Sequence, residues 1–361
     1  MAEINVKRFV DINIKAEVPQ TVVGTRDTVT LFTPEGTKGT TNLISNMTEA
    51  TAYYKNNATT LAYLTVFFEN GGVKCNVVEG MAYTDVTADV LKSLGNEYIL
   101  VAIAIPQANL SAGYTAVKTL ATAMAADASV YGVNEKIIMT RTETAADTTS
   151  VANLAVKYST VLGAEMTIGA YLSQINVYRA DSIHDYAFTA ETLTAEDITD
   201  TTFGTITDNN MNVNLVLAGQ SRDCGGNMKN GADITNTFTK ILLHQTLTDR
   251  LLNLLTQKIK NSRGIAQIYT VIAQELEQYK TAGYLTTDKI WAKDDLTVAY
   301  NGENYTIITR GTALPVGYRI KVLPITSLTA ADKAARKAPP IYVIIADQYG
   351  IRQITISGEV I

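Results

Sequence analysis

Two stretches at opposite ends of the chain carry its clearest alternation of apolar and polar positions. In 4–15, INVKRFVDINIK, the even positions hold Ile4, Val6, Val10, Ile12 and Ile14, with Arg8 the exception. Only Phe9 interrupts the polar odd set. A period of two predicts a strand with one covered face, and Pro19 ends it. At the other end, 341–361 reads IYVIIADQYGIRQITISGEVI. Its first five residues form an unbroken apolar run, the pattern of a strand covered on both faces. After the turn-like 347–350, Ile354 and Ile356 alternate with Gln353, Thr355 and Ser357, and Val360 and Ile361 close the run. A terminal strand frays or sticks unless it is paired. Two readings follow: strands inside one domain's sheet, or arms that add strands to neighbouring subunits.

Between these ends the pattern alternates strand and helix. Strands are predicted at 28–32, 74–79, 98–104, 136–140 and 164–168. Helices are predicted at 46–55 (capped by Asn46 or Thr48), 59–72, 85–94, 112–131 and 150–158. That order predicts an α/β layer with a largely parallel sheet. The signal weakens over 181–212, where a domain boundary is expected. A strand at 212–217 and a glycine-rich loop at 219–231 follow. Helices come next over 234–260 and 265–279, parted at Gly264, with Gly283 stopping the second. Asn301-Gly302 predicts a hairpin over 296–308. A strand at 318–323 and a short helix at 329–336 lead into the final run. The fold class is mixed α/β.

The 361 residues allow two or three domains, and the totals narrow their role. Charged residues are only 18%, while tyrosine numbers 19 against 7 phenylalanines. Low charge with much Tyr and Thr suits surfaces covered by other protein. A net charge of −5 without a basic run argues against nucleic acid. Cys75 and Cys224 lie far apart without a CxxC, which fits a reducing compartment. The longest apolar run, 99–105, is too short for membrane insertion. A soluble protein made in the cytoplasm is expected.

Catalytic motifs are sparse. The loop GQSRDCGGNMKNG at 219–231 sits between strand and helix, as a phosphate loop would. It lacks GK[ST] and the GxGxxG spacing. Its glycines fit a tight turn equally well. A Cys224–His184–Asp185 nucleophile set is conceivable but has no local support. His244 reads as an ordinary helix residue and Asp294-Asp295 as a solvated turn. Lys258, Lys260 and Arg263 read first as a helix terminus favoured by its dipole, and second as a face for an acidic tube. No metal or cofactor motif occurs, so no enzyme activity is expected. The alternative is a cytosolic α/β enzyme with a ligand at 219–231.

Three segments in order resemble the tail sheath proteins of contractile-tailed bacteriophages and phage tail-like particles. They are VFFENGGVKCNVVE at 66–79, the helical pair at 234–283 with AGYL at 282–285, and the closing run 341–361. The resemblance implies an N-terminal arm at 1–20, an outer α/β domain at 21–205, an inner domain at 206–346 and a C-terminal arm at 347–361. The inner sheet would be completed by neighbouring chains' terminal strands through Ile4, Val6, Val10, Ile12, Ile14, Ile354, Ile356 and Val360. Pro19 and Gly350 would be the hinges. It also implies hexameric rings stacked around a tail tube, with baseplate and neck or terminator proteins as further partners. The location would be the virion tail or a tail-like particle, and contraction would drive the tube through a bacterial envelope.

Overall fold

The computed structural model describes residues 27–94, 98–126, 135–256 and 261–347. The candidate arm residues Ile4, Val6, Val10, Ile12, Ile14, Ile354, Ile356 and Val360, and the hinge candidates Pro19 and Gly350, lie outside them, as do Lys258 and Lys260.

One sheet dominates the first two thirds of the chain. Its strands are β1 (Thr28–Phe32), β2 (Thr41–Ile44), β3 (Lys74–Val78), β4 (Leu100–Ile103), β5 (Ile137–Thr142), β6 (Leu154–Tyr158), β7 (Asn212–Leu217) and β8 (Gln220–Asp223). They lie in the order β2-β3-β1-β4-β5-β6-β7-β8. The six from β3 to β7 run parallel, and β2 and β8 are antiparallel edges. Helices α1 (Met47–Tyr54), α2 (Ala58–Glu69), α3 (Ala88–Ser93), α4 (Leu110–Ala126), α5 (Met166–Ser173) and α6 (Asp200–Asp208) cover it. Alternation along β4 sorts them into two layers. Leu100 and Ala102 join a core with α1, α2 and α5, and Val101 and Ile103 join one with α3, α4 and α6. Both faces are dry, as a parallel sheet requires.

Three features of the sheet differ from expectation. Residues 150–158, expected as helix, contain the central strand β6. Its positions are buried on both faces, so the apolar run has no period of two to mark it as a strand. Residues 164–168, expected as strand, open into α5, of which Met166, Thr167, Ile168, Gly169 and Ala170 are all buried. A helix buried all round shows no amphipathic stripe. A Cβ on Gly169 would press against Val29 and Met139, so glycine lets this helix approach the sheet. The short edge β2 was not foreseen at all. Strands β7 and β8 continue the sheet beyond residue 205.

The next segment is α7 (Ile234–Thr256) followed by α8 (Asn261–Thr281). Gly264 lies within the first turns of α8 and does not part the helices. Gly283, at φ 95°, ends α8, with Tyr284 N–H donating to Tyr279 O and Gly283 N–H to Lys280 O. That pair of bonds is a Schellman turn. Phe238, Leu242, Leu247 and Leu251 of α7, with Ile268, Ile272 and Leu276 of α8, join the core that also holds Val29, Leu64 and Phe67. The helical pair and one face of the sheet thus share a continuous apolar interior.

The last described segment holds three two-stranded ladders. Strand β9 (Lys289–Ile290) pairs β12 (Ala313–Leu314), β10 (Leu296–Tyr300) pairs β11 (Glu303–Ile308), and β13 (Tyr318–Val322) pairs β14 (Ile341–Ile345). The expected hairpin turns at Asn301 (φ 50°) and Gly302 (φ 81°), the paired positive values of a type I′ turn. Helix α9 (Ala330–Ala334) starts with a capping box between Thr329 and Asp332. In β14, Ile341, Val343 and Ile345 face the helical pair's core. Tyr342 and Ile344 face a smaller cluster with Ile307, Ile308 and Leu314. Both faces of this strand meet apolar partners, as its unbroken apolar run requires, although only Val343 and Ile344 are fully buried.

Candidate functional site

In an open parallel sheet the natural ligand site lies beyond the carboxyl ends of the strands, where strand order reverses. Here that place is between β1 and β4. The chain fills it with its own side chains. Glu35 accepts from the N–H groups of Thr59 (3.1 Å) and Thr60 (2.7 Å) and from the Thr60 hydroxyl (2.7 Å). The anion-binding N-terminus of α2 is therefore occupied by a carboxylate of the same chain. Next to it the Tyr63 hydroxyl donates to Glu165 Oε1 (3.0 Å) and accepts from Ile105 N–H (3.0 Å). Arg141, fully buried, donates to the Ser159 carbonyl (3.2 Å) and to Gln107. Burial pushes the Glu165 carboxyl up to about 7, and Arg141 opposes that shift.

A second polar cluster lies further along the sheet. Lys157 of β6 and Asp223 of β8 are fully buried and 2.6 Å apart, Nζ to Oδ2. Glu191 adds contacts to the same Nζ at 3.1 and 3.0 Å. The Tyr186 hydroxyl contacts Nζ at 3.1 Å and donates to Glu191 at 2.6 Å. Burial pushes Asp223 up to about 6, against the pull of Lys157. Burial also works against the Lys157 ammonium, yet Asp223 and Glu191 hold its pKa above the ordinary value.

The glycine-rich loop is a lock and not a cradle. Asn212 Oδ1 accepts from the N–H groups of Gly226 (2.6 Å) and Asn227 (3.0 Å), the positions a phosphate would take. A Cβ on Gly225 would collide with that same side chain. Lys229 donates to the carbonyls of Asn209 (2.6 Å) and Asp147, tying the loop to two turns. Part of the expected loop is the strand β8.

The conceivable nucleophile set is not brought together. Cys224 sits in the core beneath α4 and α6, its thiol pushed up to about 11 by burial. His184 is exposed and flanked by Ile183 and Tyr186, which belong to the other core. A buried, protonated thiol is a poor nucleophile. His244 is buried within α7. Asp294 and Asp295 form the expected turn, accepting from Trp291 Nε1 (2.9 Å) and Arg310 N–H (2.8 Å). Among the described residues no group of three or more His, Cys, Asp or Glu could hold a metal ion, and no helix is long and apolar enough to cross a membrane.

The open features lie instead at the C-terminal end. A shallow groove of about 520 Å³ runs beside α8, lined by Arg250, Tyr269, Ala273 and Glu277. The Tyr318 hydroxyl of β13 donates to Glu277 at 2.9 Å, fixing the β13–β14 ladder beside that groove. No strand among the described residues pairs with the outer edge of β13. Residues 234–360, from the start of α7 through the closing run, match the family described as E217 tail sheath protein gp31-like, C-terminal domain.

Over those residues the chain is similar to phage tail sheath proteins.

The likeness extends to its architecture. A chain from the cryo-EM structure of the anti-feeding prophage baseplate in the contracted state superposes with a TM-score of 0.58 at 14% identity. The superposition covers 99% of both chains. At that identity it speaks for the fold alone. No curated protein matches the sequence. The two buried polar clusters are what sequence reasoning missed. Their signal was a lysine inside the apolar run LAVKY at 154–158.

Proposed function

We propose that this chain is the structural subunit of a contractile tail sheath. It polymerises as stacked six-membered rings around a tail tube and contracts to drive that tube through a bacterial envelope. The observation that carries this reading is the match of residues 234–360 to a sheath C-terminal domain. Its partners would be other copies of itself, the tube protein, and baseplate and neck proteins, in a virion tail or tail-like particle made in the host cytoplasm. Residues 1–20 and 347–361 act as arms that add strands to neighbouring subunits. The division into outer domain, inner domain and arms follows from the same reading. The outer edge of β13, which no described strand pairs, supports a strand-addition mechanism.

The energetics are adequate. Backbone hydrogen bonds contribute about 1 kcal/mol net each. Burial of Ile354, Ile356 and Val360 adds roughly 1.5 kcal/mol or more apiece. A few such contacts hold an arm while polar faces between subunits slide. The filled crevice and the Asn212-plugged loop weigh against the enzyme reading. The test is deletion of 352–361: a folded chain that forms no long tubes by negative-stain microscopy is expected. Normal hollow tubes from that truncation would sink the arm mechanism.

A further inference from the structure

We propose that Lys157 and Asp223 become joined by an intramolecular amide bond, with Glu191 carrying the proton. The two residues sit on β6 and β8, with β7 between them, and their side chains meet over it. Nothing in the sheath reading requires this cluster. Its three ionisable groups, one amine and two carboxyls, are almost wholly buried. One oxygen of Asp223, Oδ1, has no hydrogen-bond partner. An ammonium and two carboxyls in a dry site are costly to keep charged. Turning the amine and one carboxyl into an amide removes two buried charges at once.

The groups are placed for that reaction. Glu191, 3.0 Å from Nζ, takes a proton from the ammonium. The freed Nζ lone pair attacks Cγ of the protonated Asp223 carboxyl, and the C–N bond forms. Glu191 returns its proton to the departing hydroxyl, the C–O bond breaks and one water leaves; Glu191 then accepts the second Nζ proton, so that the products are a neutral amide and a protonated Glu191. No oxidant, reductant or co-reactant is needed. Burial holds the Asp223 carboxyl near 6, so its acid form is accessible close to neutral pH. Because both carboxylates favour the charged amine, proton removal is the slow step and the bond matures after folding. Fixed juxtaposition in place of a bimolecular encounter supplies the driving proximity. Tyr186 and Thr167, hydrogen-bonded to each other at 3.0 Å, cover the site and limit hydrolysis. The product is a covalent tie across the end of the sheet.

Intact mass spectrometry of the full chain, followed by peptide mapping, tests this directly. The wild type, held at neutral pH, is expected to be lighter than its sequence mass by one water. Its digest should yield a branched peptide joining the Lys157 and Asp223 segments. Lys157→Arg is expected at full sequence mass, and Glu191→Gln at full mass or as a slowly converting mixture. A wild type that keeps its full sequence mass after prolonged incubation overturns the proposal. So does a water loss that persists in Lys157→Arg or maps elsewhere. The wild-type measurement stands alone should a variant fail to fold.

Discussion

On the outer side of β8, the last strand of the large sheet, the chain lays down its own residues 188–191. Phe188 N–H donates to Asp223 O (2.8 Å), Asp223 N–H to Thr189 O (3.0 Å) and Glu191 N–H to Ser221 O (3.0 Å). The β13–β14 ladder has no such cover along β13 among the described residues. Beyond the end of β14, Thr286 N–H reaches Ala346 O (2.8 Å) and Leu285 bridges Asp347. Buried backbone groups must find partners and exposed edges must be guarded. One region meets that demand from within, and in the other no described strand meets it. Under the proposed sheath reading, this contrast would separate the part that carries stability from the part that carries assembly.

The strongest way to break the contrast is Ile320→Pro. The bonds Leu323 N–H to Pro340 O and Ala346 N–H to Gly317 O set the ladder's alternation. That alternation turns the Ile320 N–H outward, so a proline there spares the ladder and blocks an incoming strand. Loss of tubes with unchanged circular dichroism is expected. Normal tubes would show that this edge is not used. In the sheet region, Phe67→Ala removes a fully buried ring. It should cost about 3–5 kcal/mol in denaturant titration. A cost below about 1 kcal/mol would deny the sheet its role as the stable body.

The third measurement concerns pH. Glu165 is raised from 4.5 to about 7 in the folded state. A raised acid stabilises the fold fully below its unfolded value, and this contribution is lost as pH rises through the folded one. Between about pH 4.5 and 7 the wild type should lose on the order of 3 kcal/mol relative to Glu165→Gln. Parallel stability curves for the two proteins would refute it. The smallest effect is expected for Tyr318→Phe, which removes the bond to Glu277. About 0.5–1.5 kcal/mol should be lost. A larger loss would mean that the ladder, too, is a principal support of the fold.

The parts legible in the sequence were those whose periodicity reports one environment. The helices around Leu242 and Ile272 showed a stripe because one side meets the core, and Asn301-Gly302 announced its turn because few other pairs accept two positive φ angles. Where two environments cover an element the signal vanished. Strand β6 read as helix because Leu154 and Ala155 are equally buried in opposite layers, and α5 read as strand because it is buried all round within one core and shows no polar stripe. The polar clusters were invisible for another cause. Glu35 with Thr60, or Lys157 with Asp223, are joined by tertiary closure between residues 25 and 66 positions apart, which no local spacing encodes.

The apolar interior running without a break from Val29 of β1 to Leu276 of α8 has a mechanical corollary. Close-packed matter of this kind barely compresses. A tug applied at the C-terminal ladder therefore meets no soft cushion between the helical pair and the sheet, and reaches the far edge of the fold as through the shaft of a crowbar.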